Sequence, residues 1–333
     1  MKVFIETYGC QMNVADSELV ASILGQNDFI IVGNIDDADI IIFNTCSVRQ
    51  HAEDRVMGRI SNEVSRKSSN KQLKIGVIGC MAQRLGNKLQ KQNEKIDFVV
   101  GTDQYNKLPE IIMNLFENPG FMTDTIINNE EIYKDIYPIH TGKLNAFVTI
   151  MRGCNNFCSY CIVPYVRGRE RSRDVEDIIN DVHKTGKQGF KDVTLLGQNV
   201  NSYNYKGIDF AELLRRVNKI ETINRIRFIT SHPKDLSDEV IEVMANSEKI
   251  CEHLHLAMQS GDDAILNRMN RGYTAEYYYD IVQKLRKAMP DIAITTDVIA
   301  GFSGETQEQF RRTYDLMKKI EFDYAFTFKY SPR

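Results

Sequence analysis

The chain opens on a short apolar-rich segment, Val3-Phe4-Ile5-Glu6-Thr7-Tyr8, that runs into Gly9-Cys10. The same grammar returns at Ile40-Ile41-Ile42-Phe43-Asn44-Thr45-Cys46 and at Ile75-Gly76-Val77-Ile78-Gly79-Cys80. Short β-branched runs of this kind predict strands buried on both faces. Between and after them apolar positions recur at helical spacing, over about residues 16–24, 52–66 and 83–92, and Phe98-Val99-Val100 reads as a further strand before Gly101. Strands alternating with helices predict a parallel sheet. Residues 118–143 are polar and broken, with Asn118-Pro119-Gly120, Asn128-Asn129, Pro138 and Gly142, and read as a linker or wrapping segment. Beyond it six apolar runs, at 146–151, 193–197, 226–230, 253–258, 292–299 and 324–330, alternate with helical patterns at 175–187, 210–220, 239–246, 275–288 and 308–320. Six β-α units predict a partial barrel rather than the closed eightfold form, with functional residues at the C-terminal ends of its strands. The expected fold is therefore α/β: a Rossmann-like parallel-sheet domain over residues 1–130, a linker over 131–143, and a partial (β/α)6 TIM barrel over 144–333.

Composition agrees with two soluble domains. The chain has 333 residues, 42% hydrophobic and 26% charged. A net charge of -3 gives no whole-chain signal for nucleic acid, so any basic site must be local. No apolar run approaches the ~18 residues of a membrane helix. Met1 to Glu6 carries no signal-peptide pattern. Seven cysteines are an odd number, and several sit at strand ends rather than in a disulfide framework. A reducing, cytoplasmic location is expected.

The chemistry concentrates at Gly153-Cys154-Asn155-Asn156-Phe157-Cys158-Ser159-Tyr160-Cys161. Its Cys-x3-Cys-x2-Cys spacing suits a metal or an iron–sulfur cluster. Three cysteines leave one corner of a four-iron cube open, and an open iron can bind a small chelating molecule. The rival is a structural zinc knuckle, which wants a fourth ligand nearby; no His or Cys lies between Cys161 and His183. In the first domain, parallel strands would carry Cys10, Cys46 and Cys80 to one sheet edge, the edge where such folds bind ligands. Three thiols in one role argue for a second iron–sulfur site, against three buried structural cysteines. Gly9 and Gly79 would let the backbone approach it closely. Arg167-Gly168-Arg169-Glu170-Arg171-Ser172-Arg173 is either a solvated face or a phosphate-binding run.

The three-cysteine loop, with Tyr160 just before its last cysteine, resembles the radical S-adenosylmethionine (SAM) superfamily. Thr7-Tyr8-Gly9-Cys10-Gln11-Met12-Asn13, Asn44-Thr45-Cys46 and Gly79-Cys80 resemble the motifs of the methylthiotransferases within it. Gln11-Met12-Asn13, with Asn155-Asn156-Phe157 and Ser159-Tyr160, looks like the MiaB-type branch, which acts on N6-isopentenyladenosine in tRNA. The resemblance runs the length of the chain. It implies two [4Fe-4S] clusters, on Cys154, Cys158 and Cys161 and on Cys10, Cys46 and Cys80, with SAM as cofactor. It implies SAM contacts from Tyr160, Gln198, Asn199, Ser231, Gln259, Ser260 and Ile299, although Gly197-Gln198-Asn199 departs from the usual Gly-Gly-Glu. It supplies RNA phosphate as the ligand of Arg167, Arg169, Arg171 and Arg173. The implied partners are the tRNA anticodon stem-loop and an electron donor such as a flavodoxin or ferredoxin, with a monomeric enzyme and no membrane. Relatives usually continue into a small RNA-binding TRAM barrel, which this chain is expected to lack. The nearest alternatives are the same chemistry on threonylcarbamoyladenosine in tRNA or on a ribosomal protein. From another class comes a non-catalytic, zinc-containing RNA-binding protein. Cys251, His253, His255 and Tyr277-Tyr278-Tyr279 read as structural.

Overall fold

The structure is a computed structural model that describes residues 1–47, 50–142 and 144–331. The last linker residue, 143, and the chain end at 332–333 lie outside the described residues. Two compact units emerge, one of Met1–Thr141 with Ile162–Arg171, the other of Gly142–Cys161 with Ser172–Arg333.

The first unit is a six-stranded, all-parallel sheet. Its strands are β1 (Lys2–Tyr8), β2 (Ile30–Ile31), β3 (Ile40–Thr45), β4 (Lys74–Gly79), β5 (Phe98–Val100) and β6 (Met122–Asp124), in the order β2-β1-β3-β4-β5-β6. The helices are α1 (Gln11–Gly25), α2 (Gln50–Val64), α3 (Cys80–Leu85), α4 (Asn87–Gln92) and α5 (Leu108–Glu117). Period-two alternation along β3 feeds two cores. Ile40 and Ile42 join Val20, Leu24, Phe98 and Leu115 on one face, while Ile41 and Phe43 join Val56, Ile60, Val77 and Val99 on the other. Each fully buried side chain of this size contributes roughly 1.5–3 kcal/mol by leaving water. The sequence reading places no strand at β2 or β6: Met122-Thr123-Asp124 gives no β-branched run, while the apolar run Phe29-Ile30-Ile31-Val32 is passed over and pairs over only two residues. The segment after β6 wraps this unit, with Tyr133 buried and Glu18 Oε1 accepting from the backbone N–H and the hydroxyl of Thr141, at 2.7 and 2.9 Å.

The second unit carries two parallel three-stranded sheets. One runs β7 (Asn145–Thr149), β8 (Asp192–Leu196), β9 (Arg225–Phe228); the other runs β10 (His253–His255), β11 (Ala293–Ala300), β12 (Tyr324–Lys329). Parallel bridges Ile226–Ile250 and Ser231–Leu256 join β9 to β10, giving six strands in sequence order. Helices α6 (Val175–Lys187), α7 (Phe210–Asn218), α8 (Asp238–Ala245), α9 (Asp263–Arg268), α10 (Ala275–Ala288) and α11 (Gln307–Ile320) separate and cover them. Their apolar stripes and the strands' buried positions form one core, including Ile178, Val182, Leu214, Phe228, Leu254, Tyr278 and Ile294. The partial (β/α)6 barrel is thus present. Tyr278 belongs to its core and donates its hydroxyl to Leu256 O at 2.7 Å, so the tyrosine triplet serves packing at its centre.

Candidate functional site

In the first unit the strand register delivers three cysteines to one edge. Tyr8 pairs with Thr45 and Thr45 with Gly79, so Cys10, Cys46 and Cys80 follow adjacent strand ends. Gly9 has φ +142 and Gly79 has φ +92, both in the region that favours glycine. A Cβ on Gly9 would lie 2.6 Å from Cys46 Cβ, and one on Gly79 would lie 2.5 Å from Asn44 Oδ1 and 2.7 Å from Thr45 O. These glycines therefore let the strand ends close on one another. Gly79→Ala should cost on the order of 1–3 kcal/mol from backbone strain alone. It should also lower iron loading; a wild-type melting temperature and iron content in this variant would contradict that role.

Two asparagines that the sequence offered only as signature letters hold the edge. Asn13 Nδ2 donates to Asn44 Oδ1 at 3.1 Å, and Asn44 Nδ2 donates to Asn13 O at 2.8 Å and Ser17 Oγ at 2.9 Å. Thr45 Oγ1 donates to Ile78 O at 2.7 Å. The thiols differ in charge state. A hydrogen bond from Cys46, then the Arg167 charge and the backbone N–H groups of Asn13 and Met12, bring the Cys10 thiol down to about 6 against the effect of burial. Burial pushes the Cys80 thiol up, with Arg167 opposing it. Arg167 Nη2 donates to buried Asp16 at 2.8 Å, while its Nη1 is buried with no hydrogen-bond partner. Three thiols beside a buried cation fit an anionic cluster.

In the second unit the Cys154–Cys161 loop leaves the barrel just after β7. Gly153, at φ 77, donates its N–H to Gln198 Oε1 at 2.5 Å. Phe157 takes φ 47, and its carbonyl and that of Asn156 accept from Asn270 Nδ2 at 3.0 Å. Ser159 N and Oγ bond the carbonyls of Met269 and Arg268 at 3.0 and 2.8 Å. The end of α9 thus straps the loop down. Cys154 and Cys161 are half-buried and Cys158 is buried. None of the seven cysteines is in a disulfide, and Cys251 stands half-buried away from both triads in sequence and sheet position. Among the described residues no three His, Cys, Asp or Glu side chains close on a single metal ion. A four-iron cube takes one thiolate at each of three corners and does not ask for that convergence.

Two groups that sequence reasoning left unassigned touch Cys158. Arg271 Nη1 lies 3.5 Å from its sulfur and 3.3 Å from Tyr160 Oη. His232 Nε2 lies 4.0 Å from the same sulfur. Burial, with the charges of Arg271 and Lys234, brings the His232 pKa down to about 2, so the ring is neutral. Burial raises the Tyr160 phenol well above its ordinary range. No local pattern announced Arg271: it lies far along the chain, in an ordinary polar turn.

The other strand-end residues fall into two groups. Ser231 Oγ and Gln259 Oε1 are buried without a hydrogen-bond partner, each beside or on a non-glycine residue in the left-handed region, Thr230 at φ 72 and Gln259 at φ 66. Unmet polar atoms on strained strand ends mark places a ligand can complete. Both side-chain amide atoms of Asn201 share that state, a position the sequence did not single out. The rest are engaged within the protein. Asn199 Nδ2 donates to Asp235 at 2.6 Å and its Oδ1 accepts from His232 N at 3.2 Å. Ser260 Oγ pairs with Thr313 Oγ1 at 3.2 Å. Ile299 packs with Tyr160 beside Ile265, Met269 and Phe302.

The arginine run corrects both of its sequence readings. Arg167, Arg171 and Arg173 are buried, neither on a solvated face nor open to phosphate. Arg171 grips Asp103 with both Nη atoms, at 3.1 and 3.0 Å. Arg173 pairs with Asp177 at 2.8 Å and Asp181 at 3.0 Å, within the second unit. Only Arg169 of the four is exposed. Burial of a guanidinium demands such carboxylates, and Asp16 and Asp103 come from far along the chain, where no local pattern points to them.

A six-stranded parallel barrel with a Cys-x3-Cys-x2-Cys loop after its first strand defines a radical SAM enzyme. The model of the Radical SAM superfamily matches residues 148–317, and that of an uncharacterized protein family, UPF0004, matches residues 2–101. The chain is 49% identical over 335 residues to a tRNA-2-methylthio-N(6)-dimethylallyladenosine synthase of Thermoanaerobacter sp. strain X514, covering 99% of this chain and 71% of that one. It is 51% identical over 334 residues to the enzyme of that name from Caldicellulosiruptor saccharolyticus, again covering 99% and 71%. Among solved structures, the radical SAM methyltransferase TsrM of Kitasatospora setae superposes with a TM-score of 0.74 at 12% identity, over 98% of this chain and 72% of that one. The chain belongs to the radical SAM methylthiotransferases, a transferase family, in the branch of the tRNA-2-methylthio-N(6)-dimethylallyladenosine synthases. Membership brings SAM and a [4Fe-4S] cluster as cofactors. Among the described residues no helix is long and apolar enough to cross a membrane.

Proposed function

We propose that this protein converts N6-isopentenyladenosine in the anticodon loop of tRNA to its 2-methylthio derivative, as a cytoplasmic monomer. The observation that carries the reading is the presence of two separate cysteine triads in a chain that follows these synthases throughout its length. Residues 144–333 form the radical SAM core, and Cys154, Cys158 and Cys161 hold its cluster. Residues 1–130 form the sulfur-carrying domain, and Cys10, Cys46 and Cys80 hold a second [4Fe-4S] cluster. When bound and reduced, the radical SAM cluster supplies the single electron that splits SAM and opens an unactivated aromatic C–H to attack.

The chain's own residues bind and orient. The unmet Ser231 Oγ donates to or accepts from the polar groups of SAM, and the unmet Gln259 Oε1 accepts from them. Gln198 and Asn199 shape the cysteine loop and its neighbouring turn, and each carbonyl keeps a second lone pair for the SAM amine. Tyr160 and Ile299 offer an apolar wall for the adenine. Ser260, held at its strand end by Thr313, is a further SAM contact in this reading. We assign RNA phosphate to Arg169, the exposed member of its run. A flavodoxin or ferredoxin fits the one-electron demand.

Two measurements test the reading. Anaerobic reconstitution should give about eight irons per chain, as two cubes with three thiolates each require. A value near four, unchanged in the Cys10, Cys46 and Cys80 variants, would remove the second cluster. Incubation with SAM, a strong reductant and a source of sulfide should modify isopentenylated anticodon stem-loop RNA, read by mass spectrometry of its nucleosides. Modification of threonylcarbamoylated RNA in preference would transfer the protein to the other tRNA branch.

A further inference from the structure

We propose that Arg271 and His232 are the hydrogen-bond donors that set the reduction potential of the cluster held at Cys158, and that they raise it. The proposal rests on Cys158 being a ligand of the radical SAM cluster, as above.

Arg271 is 4% exposed and Cys158 is 9% exposed, so their interaction is little screened by water. The guanidinium is fixed on three other sides. Nη2 donates to Ala257 O at 2.6 Å, Nε to Tyr273 Oη at 3.0 Å, and the plane lies over the Tyr273 ring, 5.2 Å from its centre. Nη1 reaches both Tyr160 Oη, at 3.3 Å, and Cys158 Sγ, at 3.5 Å. Among the described residues no carboxylate pairs with this cation: its partners are one carbonyl, two phenols and the thiol. A buried arginine without a carboxylate needs anionic charge from elsewhere. A thiolate-ligated cluster supplies it.

His232 adds a second donor, and its tautomer follows from geometry. The backbone N–H of Lys234 donates to Nδ1 at 3.3 Å, so Nδ1 is the acceptor of a neutral ring. The hydrogen then sits on Nε2, the nitrogen 4.0 Å from Cys158 Sγ. Two N–H groups converge on one sulfur. The other two cysteines of the triad are half-buried, and Cys158 is the one enclosed.

Reduction adds negative charge to the cluster and its sulfurs. N–H donors and a fixed cation stabilise the reduced form more than the oxidised form, so they move the potential upward. A higher potential brings the cluster within reach of a protein reductant.

The test is an EPR-monitored redox titration of the full reconstituted protein, following the signal that shifts when SAM is added. That signal reports the radical SAM cluster by itself, so its absence would indict the ligand assignment rather than this proposal. Arg271→Lys, Arg271→Met and His232→Phe are compared with wild type at equal iron content. Arg271→Met should lower the reduction equilibrium constant by at least about tenfold, equivalent to 59 mV for a one-electron couple. His232→Phe should shift it the same way by less, and Arg271→Lys should fall between wild type and Arg271→Met. Unchanged potentials in loaded Arg271→Met and His232→Phe would overturn the proposal. If Arg271→Met fails to take up iron, His232→Phe decides: an unshifted potential there would leave Arg271 a packing residue and the proposal wrong.

Discussion

Replacing Cys10, Cys46 or Cys80 with Ala will abolish methylthiolation of isopentenylated RNA while SAM is still cleaved to 5′-deoxyadenosine. Replacing Cys154, Cys158 or Cys161 will abolish both. The expectation follows from how the two triads are built. One is a tight loop after a barrel strand, tied by Gln198, Asn270 and the end of α9. The other is assembled from three adjacent strand ends of a separate sheet, each cysteine delivered by its own strand. Loss of a thiol in the sheet leaves the barrel loop and the unmet buried atoms of Ser231 and Gln259 as they are. Product must drop to background, because a radical without a sulfur carrier completes no C–S bond. Both species are read by chromatography after one anaerobic incubation. Normal methylthiolation by the Cys10, Cys46 or Cys80 variants would mean that the first unit is not the sulfur carrier.

The fold was legible because its strands are buried on both faces. Runs such as Ile40-Ile41-Ile42-Phe43 leave little choice but a central parallel strand, and the residue after each such strand then lies at the ligand edge. That is why Cys10, Cys46 and Cys80 could be grouped from the sequence, as the loop triad could from its spacing. The rest depended on tertiary pairing. A short edge strand such as Met122–Asp124 has no pattern of its own and is made by its neighbour Phe98–Val100. The Cys158 shell was hidden because Arg271 and His232 reach it from separate turns. Asn201 looks like any loop asparagine until both of its amide atoms prove to be buried without partners. For the arginine run the sequence held half of the answer. Arg173, Asp177 and Asp181 follow at intervals of four, and Asp181 interrupts the apolar stripe of Val175, Ile178 and Val182, so an internal ion pair was readable there. Asp16 and Asp103, by contrast, are acidic residues with nothing local to show which cation they meet.

Those buried pairs set the second large effect: the arginine run should matter for stability far more than for RNA. Arg173→Ala strands Asp177 and Asp181, which are 5% and 1% exposed, without their shared cation. Removing one partner of a buried pair typically costs about 3–5 kcal/mol. For a unit of this size that lowers the melting temperature on the order of 10 °C. Arg167→Ala should act similarly through Asp16, which is 0% exposed and also accepts from the Tyr105 hydroxyl at 3.3 Å. Replacing both partners, as Arg167→Met with Asp16→Leu, should recover a good part of the loss, because no charge is then left buried. Arg169→Ala, on the surface, should leave stability within about 0.5 kcal/mol of wild type. It should instead lower the salt slope of tRNA binding by about one, the signature of a single lost phosphate contact. Calorimetry and salt-dependent binding on the same four variants separate the two roles. A folded Arg173→Ala or Arg167→Ala protein with wild-type melting temperature and a flattened salt slope would return those residues to the RNA surface and refute their structural role.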